Sequence, residues 1–107
     1  MINGINSREM ILEILLEIEE GEHSHVAIRN ALSKYQFLPK QDRAFITRVC
    51  EGTLEYRIQI DYIINSFSKV TVDKMKPAIR EILRSAVYQL KYMDSAVSYT
   101  HLRAHET

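Results

Sequence analysis

The chain has 107 residues, 14 Lys and Arg against 14 Asp and Glu, 46% hydrophobic residues, three Gly, two Pro and one Cys. That is one small domain, which can bury only about 60–68% of its unfolded surface, so a full-size enzyme with its own cofactor domain is excluded. A lone cysteine excludes an intrachain disulfide framework, and no apolar run approaches the ~20 residues that span a bilayer, so a cytoplasmic protein is expected.

The neutral total hides a polarity. Residues 1–22 carry one cation, Arg8, against six glutamates (net −5), whereas residues 23–95 carry twelve cations and seven anions (net +5). Solvated helix faces account for such a split, and so does a local nucleic-acid surface.

Periodicity predicts helices throughout. Ile11, Ile14, Leu15 and Ile18 form the first amphipathic stripe over Ser7–Glu20, which Gly21 stops. Ser24 is the expected N-cap of a second helix carrying Ile28, Ala31, Leu32 and Tyr35. After Pro39, Lys40–Arg57 aligns Phe45, Val49, Thr53 and Tyr56, flanked by Ile46, Cys50 and Leu54, a stripe wide enough for a central helix. A fourth helix carries Ile60, Ile63, Ile64 and Phe67, and Ser68 to Asp73 reads as a connector. The fifth admits Pro77 in its first turn and aligns Ile79, Ile82, Leu83, Ala86, Val87 and Leu90. No stretch alternates long enough to argue a strand, so the expected fold class is all-α.

From residue 97 the amphipathic period stops. Val97 to Thr107 resembles one translated frame of a transposase-type sequencing adapter, so residues 96–107 are read as a non-native tail and 1–95 as the domain. This discounts a possible zinc pair, His101 and His105, and leaves His23 and His25 as an isolated His-x-His. Neither a metal nor any other cofactor is expected, and no nucleophile motif, phosphate-binding glycine loop or dinucleotide fingerprint occurs. Cys50 reads as a small core residue, and Gly52, costly inside a helix, as a point of close helix approach. Tyr88, Tyr92 and Met93 read as packing residues. Asp42 and Arg43 read as a helix cap and ion pair.

The run Gln41-Asp42-Arg43-Ala44-Phe45-Ile46-Thr47-Arg48-Val49-Cys50-Glu51-Gly52-Thr53-Leu54 resembles the "DRAF…GtL" helix of the NusB-like domain family. Asp61-Tyr62-Ile63-Ile64, then Lys74 to Arg84, then Val87-Tyr88-Gln89-Leu90-Lys91-Tyr92-Met93 match the family's next helices in order, so the resemblance covers roughly residues 7–95. It implies a helical bundle of two small subdomains, here truncated after about five helices, and a role in RNA binding. The domain occurs as a free transcription antitermination factor, which binds a short RNA element together with a small-subunit ribosomal protein. It also occurs as the N-terminal module of RsmB-type rRNA cytosine-C5 methyltransferases. The free factor typically has an arginine-rich N-terminus, where this chain offers only Arg8, and the Lys74-Met75-Lys76-Pro77 lead-in favours the methyltransferase module.

RNA, ribosomal RNA above all, is therefore the expected partner, with neither DNA nor membrane; a helical protein-interaction domain without RNA is the remaining alternative. The chain alone is not expected to be an enzyme. Candidate phosphate contacts are Arg43, Arg48, Arg57, Lys69, Lys74, Lys76, Arg80 and Arg84, because Lys and Arg supply most RNA affinity through counterion release. The densest segment is 69–84, where five cations meet two anions, Asp73 and Glu81. Truncation would also uncover part of the Ile82, Leu83, Ala86, Val87 and Leu90 stripe and lower stability.

Overall fold

The computed structural model describes residues 6–93, so the readings made of residues 94–107, the foreign tail and its two histidines included, lie outside the described residues. Five α-helices follow one another: α1 (Ser7–Glu19), α2 (Ser24–Lys34), α3 (Lys40–Glu55), α4 (Arg57–Phe67) and α5 (Pro77–Tyr88). A 3-10 turn (Val72–Lys74) lies between α4 and α5, and a π-helical turn (Gln89–Met93) extends α5. The all-α expectation holds.

Local chemistry sets the boundaries. The Asn6 side chain accepts the Glu9 N–H at 2.8 Å and caps α1. At its other end Gly21 takes φ +115°, and the N–H groups of Gly21 and Glu22 donate to the carbonyls of Ile18 and Glu17, a Schellman closure that favours glycine. Ser24 does not cap α2: His23 holds the cap position without a side-chain hydrogen bond, and Ser24 is the first helical residue. The third helix, expected over Lys40–Arg57, ends at Glu55: Tyr56 (φ −103°, ψ 21°) leaves helical geometry, and the expected fourth helix starts directly after it. Pro77 sits in the first turn of α5, where its missing N–H costs nothing.

α1 packs against α2, α3 and α5, and α5 also against α3 and α4. The buried side chains form one cluster instead of two subdomain cores: Met10, Ile11, Ile14 and Leu15 of α1, Ala27, Ile28 and Ala31 of α2, Ile46, Val49 and Cys50 of α3, and Ile60 and Ile64 of α4, together with Val72 and Tyr88. Cys50 is buried there as expected, and burial pushes its thiol up to about 12. Tyr92 and Met93 pack against the cluster, and the rings of Tyr56, Tyr88 and Tyr92 stack, with 4.3 Å between the centroids of Tyr56 and Tyr92.

Some stripe residues stand outside. Phe67, Ile79, Ile82 and Leu90 are exposed, while Leu83 and Val87 are partly buried against the core. Helical period says which residues share a face; it does not say how far a neighbouring helix reaches across that face. Ile14→Val should therefore cost about 0.5–1.5 kcal/mol in urea unfolding, and Ile82→Val, at a position 48% exposed, should fall within the ~0.5 kcal/mol typical of surface changes.

Candidate nucleic-acid interface

Three of the eight candidate cations carry internal bonds. Arg43, at the start of α3, donates through Nη1 to the carbonyls of Leu32 (3.0 Å) and Tyr35 (3.2 Å), so it closes the open end of α2 and makes no ion pair with Asp42. Asp42 lies in the first turn of α3 but provides no side-chain cap; Pro39 holds the cap position.

Arg80 and Arg84 sit in a ladder of charge that joins α1, α4 and α5. Arg80 forks onto Glu19, with Nε and Nη2 donating at 2.9 and 2.8 Å, and its Nη1 donates to the carbonyls of Val72 (2.9 Å) and Met75 (3.1 Å). One turn on, Arg84 forks onto Asp61, both bonds 2.8 Å, and donates to Glu81 at 2.7 Å. Bidentate pairs of this kind fix geometry as well as charge. Part of the charge split is thus paired within the chain: Arg80 and Arg84 meet Glu19 in a largely shielded site, and Lys34 pairs with Glu13 at the exposed surface.

The ladder is anchored on a buried acid. Only 4% of the Glu81 side chain remains exposed. Burial raises its pKa to about 7, and a hydrogen bond shared with Glu19 pushes the same way, whereas the Arg80 fork holds Glu19 down at about 2.

The other five candidates face solvent. Arg48 lies on the outer side of α3, beside an open cleft of about 560 Å³ that Lys40, Glu51, Glu55 and Tyr88 also line, and Arg57 opens α4. Lys69, Lys74 and Lys76 project from the connector between α4 and α5. That connector is tethered on three sides: Val72 is buried in the core, its N–H donates to Asn65 Oδ1 at 2.9 Å, and its carbonyl and that of Met75 receive Arg80. Its single anion, Asp73, is held below the usual carboxylate range chiefly by a hydrogen bond from Thr71. The structure thus groups three exposed lysines on one held loop, sets Arg48 and Arg57 on α3 and α4, and turns Arg43, Arg80 and Arg84 toward internal partners. Asn65 and Glu19, which hold the loop, had no signature in the sequence, since Glu19 and Arg80 are far apart along the chain and nothing local links them.

Among the described residues no group of three or more His, Cys, Asp and Glu could hold a metal ion, and no helix is long and apolar enough to cross a membrane.

The sequence pattern of the NusB family matches residues 5–100. The chain belongs to the NusB family. Two relatives carry the name probable ribosomal RNA small subunit methyltransferase B. That of Bacillus subtilis is 27% identical over 92% of this chain and 24% of its own length; that of Synechocystis is 31% identical over 84% and 20%. A third relative, the transcription antitermination protein NusB of Syntrophomonas wolfei, is 24% identical over 84% of this chain and 68% of its own length. The chain thus spans about a quarter or less of the methyltransferase relatives and about two thirds of this NusB protein. No solved structure matches it. The NusB-family match covers all five helices and the lysine connector.

Proposed function

We propose that this NusB-family domain binds RNA and serves as the N-terminal module of an rRNA cytosine-C5 methyltransferase, presenting ribosomal RNA to a catalytic domain borne on another part of the parent polypeptide. On this reading residues 1–95 are the domain, residues 96–107 are foreign to it, and the chain by itself transfers no methyl group. The reading is supported by the two methyltransferase relatives, each of which aligns with most of this chain over a small share of its own length.

The observation that carries RNA binding is the held connector, where Lys69, Lys74 and Lys76 stand exposed against a single carboxylate. Exposed ammonium groups on a tethered loop neutralise phosphates without first being ordered, so less of the contact free energy is lost to conformational entropy. Arg48 and Arg57 are further exposed candidates on α3 and α4, and Arg80 holds the connector from within.

Replacing Lys69, Lys74 and Lys76 together by Gln should weaken binding to a single-stranded RNA oligonucleotide and lower the slope of log K against log salt by about 2, each phosphate contact contributing about 0.7. An unchanged slope in filter-binding titrations would remove the loop from the interface.

The second reading, a free antitermination factor whose partners would include a small-subunit ribosomal protein, is favoured by the larger share of the NusB relatives that the chain spans. The gene beyond codon 95 separates the two. A long open frame encoding an S-adenosylmethionine-binding domain with catalytic cysteines means methyltransferase, and a stop after two more helices means antitermination factor.

A further inference from the structure

The lysine connector is held to the bundle by side chains that carry no free positive charge. Its backbone offers two carbonyls, those of Val72 and Met75, and both accept from the same guanidinium nitrogen, Arg80 Nη1. The opposite edge of that guanidinium is fixed by Glu19 of α1 through two bonds of 2.8 and 2.9 Å. Asn65, in the last turns of α4, holds the Val72 N–H from the other side. The connector is thus clamped between Asn65 of α4 and Arg80 of α5, with Glu19 of α1 fixing Arg80 in place.

We infer that Glu19 and Arg80 form a positioning device for RNA binding: Glu19 orients the Arg80 guanidinium, Arg80 grips the connector carbonyls, and together they fix where Lys69, Lys74 and Lys76 stand. This inference rests on the proposed RNA-binding role of those lysines and adds residues that themselves touch no RNA.

The planar fork of arginine makes the clamp specific. One face of donors reads a carboxylate while the remaining nitrogen reaches the carbonyls, a division of labour that the single ammonium of a lysine cannot reproduce. Glu19, held at about 2, stays ionised at any pH where the protein would meet RNA, so the clamp is permanently set. Without it the connector would keep Val72 and Asn65 as anchors but sample more positions, and each phosphate contact would again cost the ordering of its lysine.

The test exploits the sign of one substitution. Glu19→Gln removes an anion and releases Arg80, leaving the net charge of the chain more positive by one. If Arg80 contacted phosphate directly, Glu19→Gln would tighten binding and steepen the salt slope. As a positioning device it should do the reverse. Affinity of the full chain for a single-stranded RNA oligonucleotide of mixed sequence should fall about three- to tenfold, the effect of losing one or two hydrogen bonds, with the slope of log K against log salt unchanged. Arg80→Lys should behave in the same way, since the charge survives and the fork does not.

Asn65→Ala supplies an arm without any change of charge. It loosens the connector from the α4 side and should weaken binding with an unchanged slope even if the Glu19 variant folds poorly. Circular dichroism at the assay temperature shows which variants are folded. Tighter binding by Glu19→Gln, or full affinity in both Glu19→Gln and Asn65→Ala, would overturn the inference. The lysine triple variant then tells whether the RNA-binding reading falls too: if it alone loses affinity and slope, the lysines bind RNA and need no positioning.

Discussion

Replacing Arg84 by Gln is expected to cost about 3–5 kcal/mol of folding stability near pH 8, because it leaves buried Glu81 and half-buried Asp61 without the cation that satisfies them. The Arg84 side chain is 11% exposed and Glu81 4%, so solvent screening offers little relief. The same cluster makes stability depend on pH in a predictable direction. The Glu81 carboxyl is raised to about 7 from an ordinary 4.5. Between those two values the folded chain binds more protons at this site than the unfolded chain does, so the contribution of Glu81 is complete below about 4.5 and is lost as pH rises through about 7. Glu19 acts at the other end of the scale: lowered to about 2, it contributes above about 4.5 and is lost as pH falls toward about 2. Urea midpoints taken from about pH 5 to about pH 8 should therefore decline with pH. Glu81→Gln should flatten that decline, since an amide can keep the Arg84 and Glu19 neighbourhood hydrogen-bonded without titrating. In Arg84→Gln the decline should be steeper, with the destabilisation shrinking toward low pH. An unaltered pH profile in Glu81→Gln would place the titrating group elsewhere.

Gly52→Ala is the second large effect, expected to destabilise by about 2–3 kcal/mol even though alanine is the better helix former by about 1 kcal/mol. A Cβ at position 52 would overlap Cζ, Cε1 and the hydroxyl of Tyr88. Tyr88 is buried and packs beside the stacked pair Tyr56 and Tyr92, so relieving the overlap requires the ring to leave that packing. In a Tyr88→Ala background the overlap vanishes, so Gly52→Ala should there become neutral or stabilising by up to about 1 kcal/mol. Thermal or urea unfolding of the four chains closes the cycle, and equal costs in both backgrounds would show that the two residues do not meet.

How far residues announce their structure differs from one to the next. Helices α1 and α5 were legible because local signals agreed with the period: Gly21 stops one and Pro77 starts the other. The boundary between α3 and α4 was legible only to within two residues, Arg57 in place of Glu55, since no proline or glycine stands at Tyr56 to mark it. Gly52 was legible as a close approach because glycine inside a helix demands a reason, but nothing local named Tyr88 as its neighbour. Among the basic residues, charge density marked the 69–84 segment without separating lysines that face water from arginines that face carboxylates. That distinction depends on Glu19 and Asp61, which only folding brings alongside. Family resemblance rested on motifs in register, and it survived these local surprises because the register of helices is less sensitive than any single contact.

One feature of the core also bears on how the domain can be handled. The sole sulfhydryl, that of Cys50, is walled in by the helices and holds its proton up to about 12. At neutral pH it is neither accessible nor ionised, and thiol reagents need both. Alkylation is therefore gated by the breathing of the bundle. A single native atom serves as an internal chronometer of opening, with no engineered label, and the folded chain has no surface thiol of its own among the described residues through which two copies could be oxidatively joined.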